Sequence, residues 1–243
     1  MTTPAAEAAI AAIVFDSVTK AYSSKAESVK ALDGVSFSVE KGGIVAVVGP
    51  SGSGKTTLLN MAAALDFPTQ GTVKVAGVVT SSLGKEDLQK FRNETVGVVF
   101  QQFFLISHMT VFQNVMIPLI PRHLSSAEKT KRILQSIADV GLADKAGRLP
   151  SELSGGELQR AAIARGMVGD APVILADEPT GNLDHKRGSE VMDTLVEESR
   201  ERGKTVLIAT HDLRLLDRVD GVVYLEDGKI TKFEGRRVLT NGA

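Results

Sequence analysis

The stretch that decides the fold reads Gly49-Pro50-Ser51-Gly52-Ser53-Gly54-Lys55-Thr56-Thr57. An unbroken apolar run, Ile44-Val45-Ala46-Val47-Val48, comes directly before it and is typical of a strand buried on both faces. Residues 55–65 follow with a helical pattern. A buried strand, a glycine-rich turn and a helix in this order predict an α/β fold with parallel strands.

The glycine-rich turn matches the full phosphate-binding pattern of a P-loop, Gly49-x-x-x-x-Gly54-Lys55-Thr56. Glycines let successive backbone N–H groups point at anionic oxygens, and the helix that follows directs its positive end at the same phosphates. Lys55 is expected to reach the β- and γ-phosphates of ATP, and the Thr56 hydroxyl to bind Mg²⁺. A glycine- and serine-rich turn that binds nothing is the plainer alternative, but the strand before it and the helix after it favour a P-loop.

Length and composition are those of a globular α/β domain without disulfides or membrane spans. The 243 residues suit one large α/β domain, or one domain with a smaller lobe, and hydrophobic residues make up 43%. The formal net charge of -1 gives no reason to expect a nucleic-acid partner. Cysteine is absent, which excludes disulfides and thiolate metal sites. No apolar run approaches the roughly 18 residues of a membrane span, so we expect a cytoplasmic protein.

The rest of the chain divides into regions by its apolar pattern. Residues 1–10 are interpreted as a disordered tail and 11–243 as one domain. Alternation at residues 35–39, with a second apolar pair at Val73 and Val75, predicts outer strands of an antiparallel β part. Residues 85–165 contain few strand-like runs and are predicted to form an inserted helical lobe.

Strand patterns return in the last third of the chain. The runs Val173-Ile174-Leu175-Ala176 and Val206-Leu207-Ile208-Ala209 enclose an amphipathic segment, which is the β-α-β order of a parallel sheet. Near the end, Asp227-Gly228 lies between two apolar runs and predicts a hairpin turn. The sheet is therefore expected to be mixed.

Two carboxylates follow the first of these runs, at Asp177 and Glu178. The carboxyl ends of parallel strands line the ligand crevice of an open sheet. Asp177 is therefore placed to hold Mg²⁺, and Glu178 to orient a water molecule or accept its proton. A solvated pair that caps a loop is the alternative, and its position after a buried strand in a P-loop chain argues against it.

Leu153-Ser154-Gly155-Gly156-Glu157-Leu158-Gln159-Arg160 precedes a further helical segment, and here the sequence resembles the ATP-binding cassette (ABC) ATPases. Their signature usually ends in Gln, whereas this chain has Glu157. Other motifs of the family match in order along residues 12–235: Tyr22 for the aromatic that stacks on adenine, Gln101 for the Q-loop, Asp177-Glu178 for Walker B, Gly181-Asn182-Leu183-Asp184 for the D-loop and His211 for the switch histidine.

The resemblance implies an ABC-type nucleotide-binding domain that hydrolyses ATP with Lys55, Glu178 and His211. It also implies that Thr56, Gln101 and Asp177 hold Mg²⁺. The signature residues Ser154, Gly155, Gly156 and Glu157 would face an ATP held by a second copy, so that two ATP molecules lie between head-to-tail subunits.

For several of these residues, a purely structural role is an alternative to the role that the resemblance implies. Ser154-x-x-Glu157 is also a capping box, in which the carboxylate folds back onto the helix start instead of facing ATP. Asp184 fits a helix cap as well as the dimer interface that the family implies. His211 fits a structural role, Tyr22 an ordinary surface position, and the adjacent Gln102 an alternative register for Gln101.

Within the family, the segments 65–71 and 176–184 look most like the subgroup of macrolide and lipoprotein exporters and the cell-division ATPase. That likeness implies a separate membrane permease, with this chain peripheral on the inner face of the membrane. The apolar segment 103–109 is interpreted either as local core or as part of the groove that receives the permease. Two functions remain, export of a peptide, lipoprotein or drug-like substrate, and signalling to cell-wall hydrolases. The sequence does not identify the substrate.

Overall fold

The computed structural model describes residues 11–23 and 28–239, so the predicted tail 1–10 lies outside the described residues. The strands are β1 Ala11–Ser23, β2 Ser28–Glu40, β3 Ile44–Val48, β4 Gln70–Val75, β5 Val78–Val79, β6 Val96–Val99, β7 Val173–Asp177, β8 Thr205–Thr210, β9 Gly221–Glu226, β10 Lys229–Gly235 and β11 Val238–Leu239. The helices are α1 Lys55–Ala62, α2 Lys85–Glu94, α3 Val111–Met116, α4 Ser126–Asp139, α5 Gly155–Met167 and α6 His185–Glu201.

The first sheet is antiparallel and has the strand order β11-β2-β1-β4-β5. Val35, Phe37 and Val39 of β2 are buried, as the pattern at residues 35–39 predicts, and Ser38 between them is buried as well. Phe15 and Phe37 stack across β1 and β2 with ring centroids 4.8 Å apart. The antiparallel β part expected near the N-terminus is confirmed.

The second sheet has the order β10-β9-β3-β8-β7-β6. Five of its strands are parallel, and β10 returns antiparallel to β9, so the sheet is mixed as expected. The hairpin turn is Asp227-Gly228, with φ of 47° and 75°. Positive φ at both positions is typical of a type I′ turn, the kind that an Asp-Gly pair predicts.

Helix α1 lies between the two sheets and carries the P-loop at its start. Leu58 and Met61 of α1 share one core with the first sheet and with one face of the second, including Val45 and Leu175. Residues on the opposite face of the second sheet, such as Ile174, form another core with helices α3 to α6. Burial on both faces explains the unbroken apolar runs of the parallel strands.

Two predicted boundaries differ from the structure. Helix α1 ends at Ala62 rather than at residue 65, because the chain turns left-handed at Ala64, where φ is 53°. The range 85–165 predicted for the helical lobe contains β6, which pairs with β7 in the second sheet. This strand is short, and its apolar run is interrupted by Gly97, so the pattern does not separate it from its helical surroundings.

Candidate functional site

The loop between β3 and α1 is shaped by close backbone contacts that only glycine permits. A Cβ atom added at Gly49 would lie 2.0 Å from the Leu225 carbonyl oxygen. At Gly54 φ is 105°, and an added Cβ would lie 2.5 Å from the Ala31 carbonyl oxygen. A tight glycine-rich loop that runs directly into a helix start is the kind of backbone that binds anions in proteins.

Lys55 is buried under this loop, with 5% of its surface exposed. Its Nζ donates hydrogen bonds to the Gly49 and Pro50 carbonyl oxygens, both at 2.9 Å. The same ammonium lies 3.8 Å from Oε1 of Glu178. The Ser53 hydroxyl is also buried and has no hydrogen-bond partner among the described residues. A cation and a free hydroxyl in the loop suit a phosphate ligand.

The loop borders a cavity of about 250 Å³. Its lining combines the P-loop with groups from other elements: Ala31, Ser51, Gly52, Gly54, Lys55, Thr56, Thr57, Gln101 and Glu178. Most of the predicted P-loop residues therefore border one cavity, together with the predicted Q-loop glutamine and catalytic glutamate.

Asp177 ends strand β7 beside the start of α1. Its Oδ1 accepts a hydrogen bond from the Thr56 hydroxyl at 3.2 Å. Burial raises the pKa of this carboxyl, and nearby Glu178 adds to the rise while the Thr56 hydroxyl opposes it. A carboxylate and a hydroxyl in contact are oxygen ligands of the kind that Mg²⁺ prefers, so these two residues fit the predicted metal site.

Glu178 is held in a backbone conformation that is uncommon for a residue with a side chain, with φ of 43°. Its N–H donates to the Ala209 carbonyl oxygen of β8 at 2.8 Å, which fixes the turn after β7. Oε2 then lies 2.8 Å from Nδ1 of His211, and Oε1 faces Lys55. The carboxylate therefore lies between the predicted switch histidine and the P-loop lysine. At this position it can accept a proton from a water molecule that attacks a phosphate held by the loop.

Gln101 follows β6 and reaches the same cavity, which it lines, whereas the adjacent Gln102 does not line it. The Asn182 side chain donates to the Gln101 carbonyl oxygen at 2.8 Å. A Cβ added at Gly181 would lie 2.9 Å from Nε2 of Gln101, so these segments pack closely. The geometry favours the predicted register with Gln101.

Tyr22 lies on β1, and 44% of its surface is exposed. Its hydroxyl donates to Oδ2 of Asp66 at 2.7 Å, and the Lys20 ammonium lies 4.9 Å from the ring centroid. Burial and Asp66 raise the pKa of the Tyr22 hydroxyl, against a smaller effect of Thr57. The ring therefore stands beside the P-loop helix. Lys20 and Asp66 were not predicted as site residues, because no phosphate-binding motif includes them.

The signature begins helix α5. Oε2 of Glu157 accepts hydrogen bonds from the Ser154 N–H at 2.8 Å and from the Ser154 hydroxyl at 2.9 Å. Its other oxygen pairs with the Lys145 ammonium. The pKa of Glu157 is lowered to about 2, mainly by Lys145 and to a smaller extent by the Ser154 N–H. The carboxylate folds back as in a capping box, and Lys145 is a partner that sequence reasoning missed.

The two signature glycines pack against the start of α6. Cβ atoms added at Gly155 and Gly156 would lie 3.4 Å from Leu183 and 3.6 Å from Arg187. Asp184 caps this helix by accepting a hydrogen bond from the Arg187 N–H at 3.1 Å. The capping role of Asp184 is thus present in the structure, while its place in a dimer interface remains a prediction.

The structure does not bring the signature to the P-loop of the same chain. None of the described residues that line the P-loop cavity comes from the signature, Ser154 to Glu157. The predicted site therefore forms two separate parts, one around the P-loop and one at the start of α5. No helix in the described ranges is long and apolar enough to cross a membrane.

The chain is similar to proteins of one family. Residues 32–181 match the family model described as ABC transporter. MJ0796 of Methanocaldococcus jannaschii, an uncharacterized ABC transporter ATP-binding protein, is 41% identical over 229 residues, covering 93% of this chain and 97% of that protein. LolD of Bacteroides thetaiotaomicron, a lipoprotein-releasing system ATP-binding protein, is 42% identical over 221 residues, covering 90% and 99%.

A longer relative and two solved structures agree. The macrolide export ATP-binding/permease protein MacB of Hyphomonas neptunium is 40% identical over 220 residues, which are 90% of this chain but 34% of MacB. A dimeric structure of MJ0796 superposes with a TM-score of 0.85 at 40% identity, covering 92% of this chain and 98% of that one. A dimeric post-hydrolysis state of MJ0796 bound to ADP and Pi gives 0.84 at 39% identity, with the same coverage of 92% and 98%.

Proposed function

Because this chain belongs to the ABC transporter family and is an ATPase of that family, we propose that two copies bind two ATP molecules between them and drive a separate membrane permease. The observation that carries the proposal is the division of the site. Lys55, Thr56 and Glu178 line the P-loop cavity, and Asp177 is hydrogen-bonded to Thr56, while the helix start at Ser154 lies outside the cavity. The dimeric structures of MJ0796 support the completion of each site by a second copy.

Each residue around the P-loop then has a defined task. The loop N–H groups and Lys55 hold the phosphates of ATP. Thr56, Asp177 and Gln101 would hold Mg²⁺, which neutralises phosphate charge when bound. Glu178 orients the attacking water or takes its proton, and His211 positions Glu178 and reaches toward the γ-phosphate.

The family of relatives supports a permease partner and an export function. LolD is named for lipoprotein release and MacB for macrolide export. The surface also offers an apolar contact, since 60% of Phe104 and 36% of Ile106 are exposed. Arg165 fixes this loop by donating to the Phe103 and Phe104 carbonyl oxygens, at 2.8 Å and 2.6 Å. We infer a chain bound at the inner face of the membrane through its permease, moving a peptide, lipoprotein or drug-like substrate.

Dimer formation tests the central proposal. The Glu178→Gln variant should bind ATP without consuming it, and light scattering after size-exclusion chromatography should show a dimer with ATP and a monomer without it. The matched control is Lys55→Ala with Glu178→Gln, which should stay monomeric in ATP. A dimer that forms equally without ATP would contradict the proposal.

Metal removal is a separate test. ATP turnover by the unmodified chain should stop when a chelator is added and return with added Mg²⁺.

A second experiment separates export from signalling. Purified with its permease in vesicles, an exporter should hydrolyse ATP faster in the presence of its cargo. A signalling assembly should respond only to a cell-wall hydrolase outside the membrane.

A further inference from the structure

Lys145 connects a short turn to the start of α5. The turn is a 3-10 helix, Ala143–Lys145, and it places the ammonium against Oε1 of Glu157. The other oxygen of that carboxylate accepts both hydrogen bonds from Ser154. Exposed fractions are 33% for the Lys145 side chain and 17% for that of Glu157. Lysine, glutamate and serine thus form one contiguous group at the helix start.

The hydroxyl of Ser154 is committed within this group. A serine hydroxyl has one proton to donate, and an ionised carboxylate can only accept. In the structure that proton goes to Glu157 at 2.9 Å. A phosphate approaching α5 would therefore meet a negative charge and a serine whose donor is in use. Both effects oppose anion binding at a helix start that otherwise favours it.

Lys145 offsets both effects. Its charge balances that of Glu157, and its contact with Oε1 draws electron density away from the oxygen that holds Ser154. The position is fixed by the backbone, because the Ala146 and Arg148 carbonyl oxygens each accept a hydrogen bond at 2.9 Å from the start of α3. The ammonium is therefore held at the carboxylate by the surrounding fold as well as by its own charge.

We propose that Lys145 is a positioning residue of the signature. It keeps Glu157 neutralised, so that the Ser154 hydroxyl can turn to the γ-phosphate of an ATP held by a second copy. This inference rests on the proposed dimer. It predicts that Lys145 matters for ATP-driven dimerisation only while residue 157 is a carboxylate.

The test compares ATP-driven dimerisation among variants that all carry Glu178→Gln. Lys145→Met should raise the ATP concentration for half-maximal dimer formation about tenfold, since it leaves Glu157 unpaired beside the phosphate. Lys145→Arg should keep the original value. Adding Glu157→Gln to Lys145→Met should restore it, because no charge is left to balance. Arg148→Met is the matched control, as it removes a nearby cation paired with Glu152 rather than with the signature.

The outcomes separate this inference from the proposed dimer. If Glu178→Gln alone does not dimerise in ATP, the proposed dimer is wrong. If it dimerises and Lys145→Met has an unchanged midpoint, the role of Lys145 is overturned. The role of Lys145 is also overturned if the variant with both Lys145→Met and Glu157→Gln needs as much ATP for half-maximal dimer formation as Lys145→Met alone. ATP affinity of the monomers and their urea unfolding midpoints, measured in parallel, identify any variant that is merely misfolded.

Discussion

The surroundings of the P-loop and the signature differ in how their residues are brought together. Around the P-loop, side chains from the start of α1, the end of β7 and the segments after β6 and β8 meet at short distances. At the signature, the group of Ser154, Glu157 and Lys145 comes from the start of α5 and the turn Ala143–Lys145. The first region depends on the topology of the sheet, and the second on contacts between residues close in sequence.

This difference indicates what each region can do alone. Parallel strands bring their carboxyl ends to one edge, so Lys55, Asp177 and Glu178 must meet once the sheet forms. The signature has its helix dipole, its backbone N–H groups and the Ser154 hydroxyl to offer, and a helix start by itself holds an anion weakly. The P-loop region should therefore bind ATP in a single chain, whereas the signature should act only on ATP that another chain holds.

Mixing two inactive variants gives the strongest test of this contrast. Lys55→Ala should abolish ATP binding, whereas Ser154→Arg should leave binding by the monomer intact, and each should lower turnover by at least about 100-fold. Mixed together, the two variants can form one intact site, from the P-loop of one chain and the signature of the other. Steady-state phosphate release should then recover in part.

The control for this experiment is a mixture of two chains that both carry Lys55→Ala, one of them also with Ser154→Arg. No intact P-loop is present there, and turnover should stay absent. If the first mixture shows no more turnover than this control, each chain completes its own site.

The two glutamates of the two regions provide the next test. Glu178→Gln should reduce turnover by about 100- to 1000-fold while ATP affinity is kept, because it removes the proton acceptor beside His211. Glu157→Gln should change turnover by less than about threefold, because an amide oxygen can replace the carboxylate in the cap. Single-turnover hydrolysis measures both. A large loss in Glu157→Gln would assign that residue a part in the reaction.

Adenine stacking is expected to have a smaller effect. Tyr22→Ala should weaken ATP binding about fivefold to tenfold, since stacking of a base on an aromatic ring contributes roughly 1 kcal/mol or more. Tyr22→Phe keeps the ring and loses only the hydrogen bond to Asp66, so its affinity should stay within about twofold. Titration with a fluorescent ATP analogue compares the two. Equal affinity in Tyr22→Ala would place the base elsewhere.

The sequence predicted the P-loop region more fully than the signature, and the reason is physical. Gly49, Lys55 and Asp177 belong to motifs whose spacing is set by phosphate and metal geometry. Their convergence follows from the parallel order of β3, β7 and β8, which the apolar runs indicate.

Contacts between segments without a motif could not be predicted. Lys145 reaches Glu157 only because the turn before α5 folds back, and nothing in its local pattern marks it. Lys20 and Tyr22 lie two residues apart on β1, and Asp66 reaches them from the segment before β4, which pairs with β1. Strand β6 could not be predicted for a similar reason. It is a short strand at the edge of the sheet, and its extended conformation depends on pairing with β7 rather than on its own sequence pattern.

The smallest expected effect concerns stability, and here the two regions should differ in sign. Burial raises the pKa of Asp177, so the folded protein loses stability as pH rises from the ordinary value of 3.8 through the raised one. Asp177→Asn should therefore be more stable than the original chain near neutral pH by roughly 1 kcal/mol, with no such gain in acid.

The pKa of Glu157 is lowered from 4.5 to about 2, so its stabilisation is complete above the ordinary value and is lost as pH falls through the lower one. Glu157→Gln should cost roughly 1 kcal/mol near neutral pH and a smaller amount at about pH 3, where part of the stabilisation remains. Urea unfolding without nucleotide at about pH 7 and about pH 3 measures both differences. Shifts of the same sign at about pH 7 would contradict the contrast between a buried carboxylate, which is the proposed metal ligand, and a carboxylate paired with a lysine.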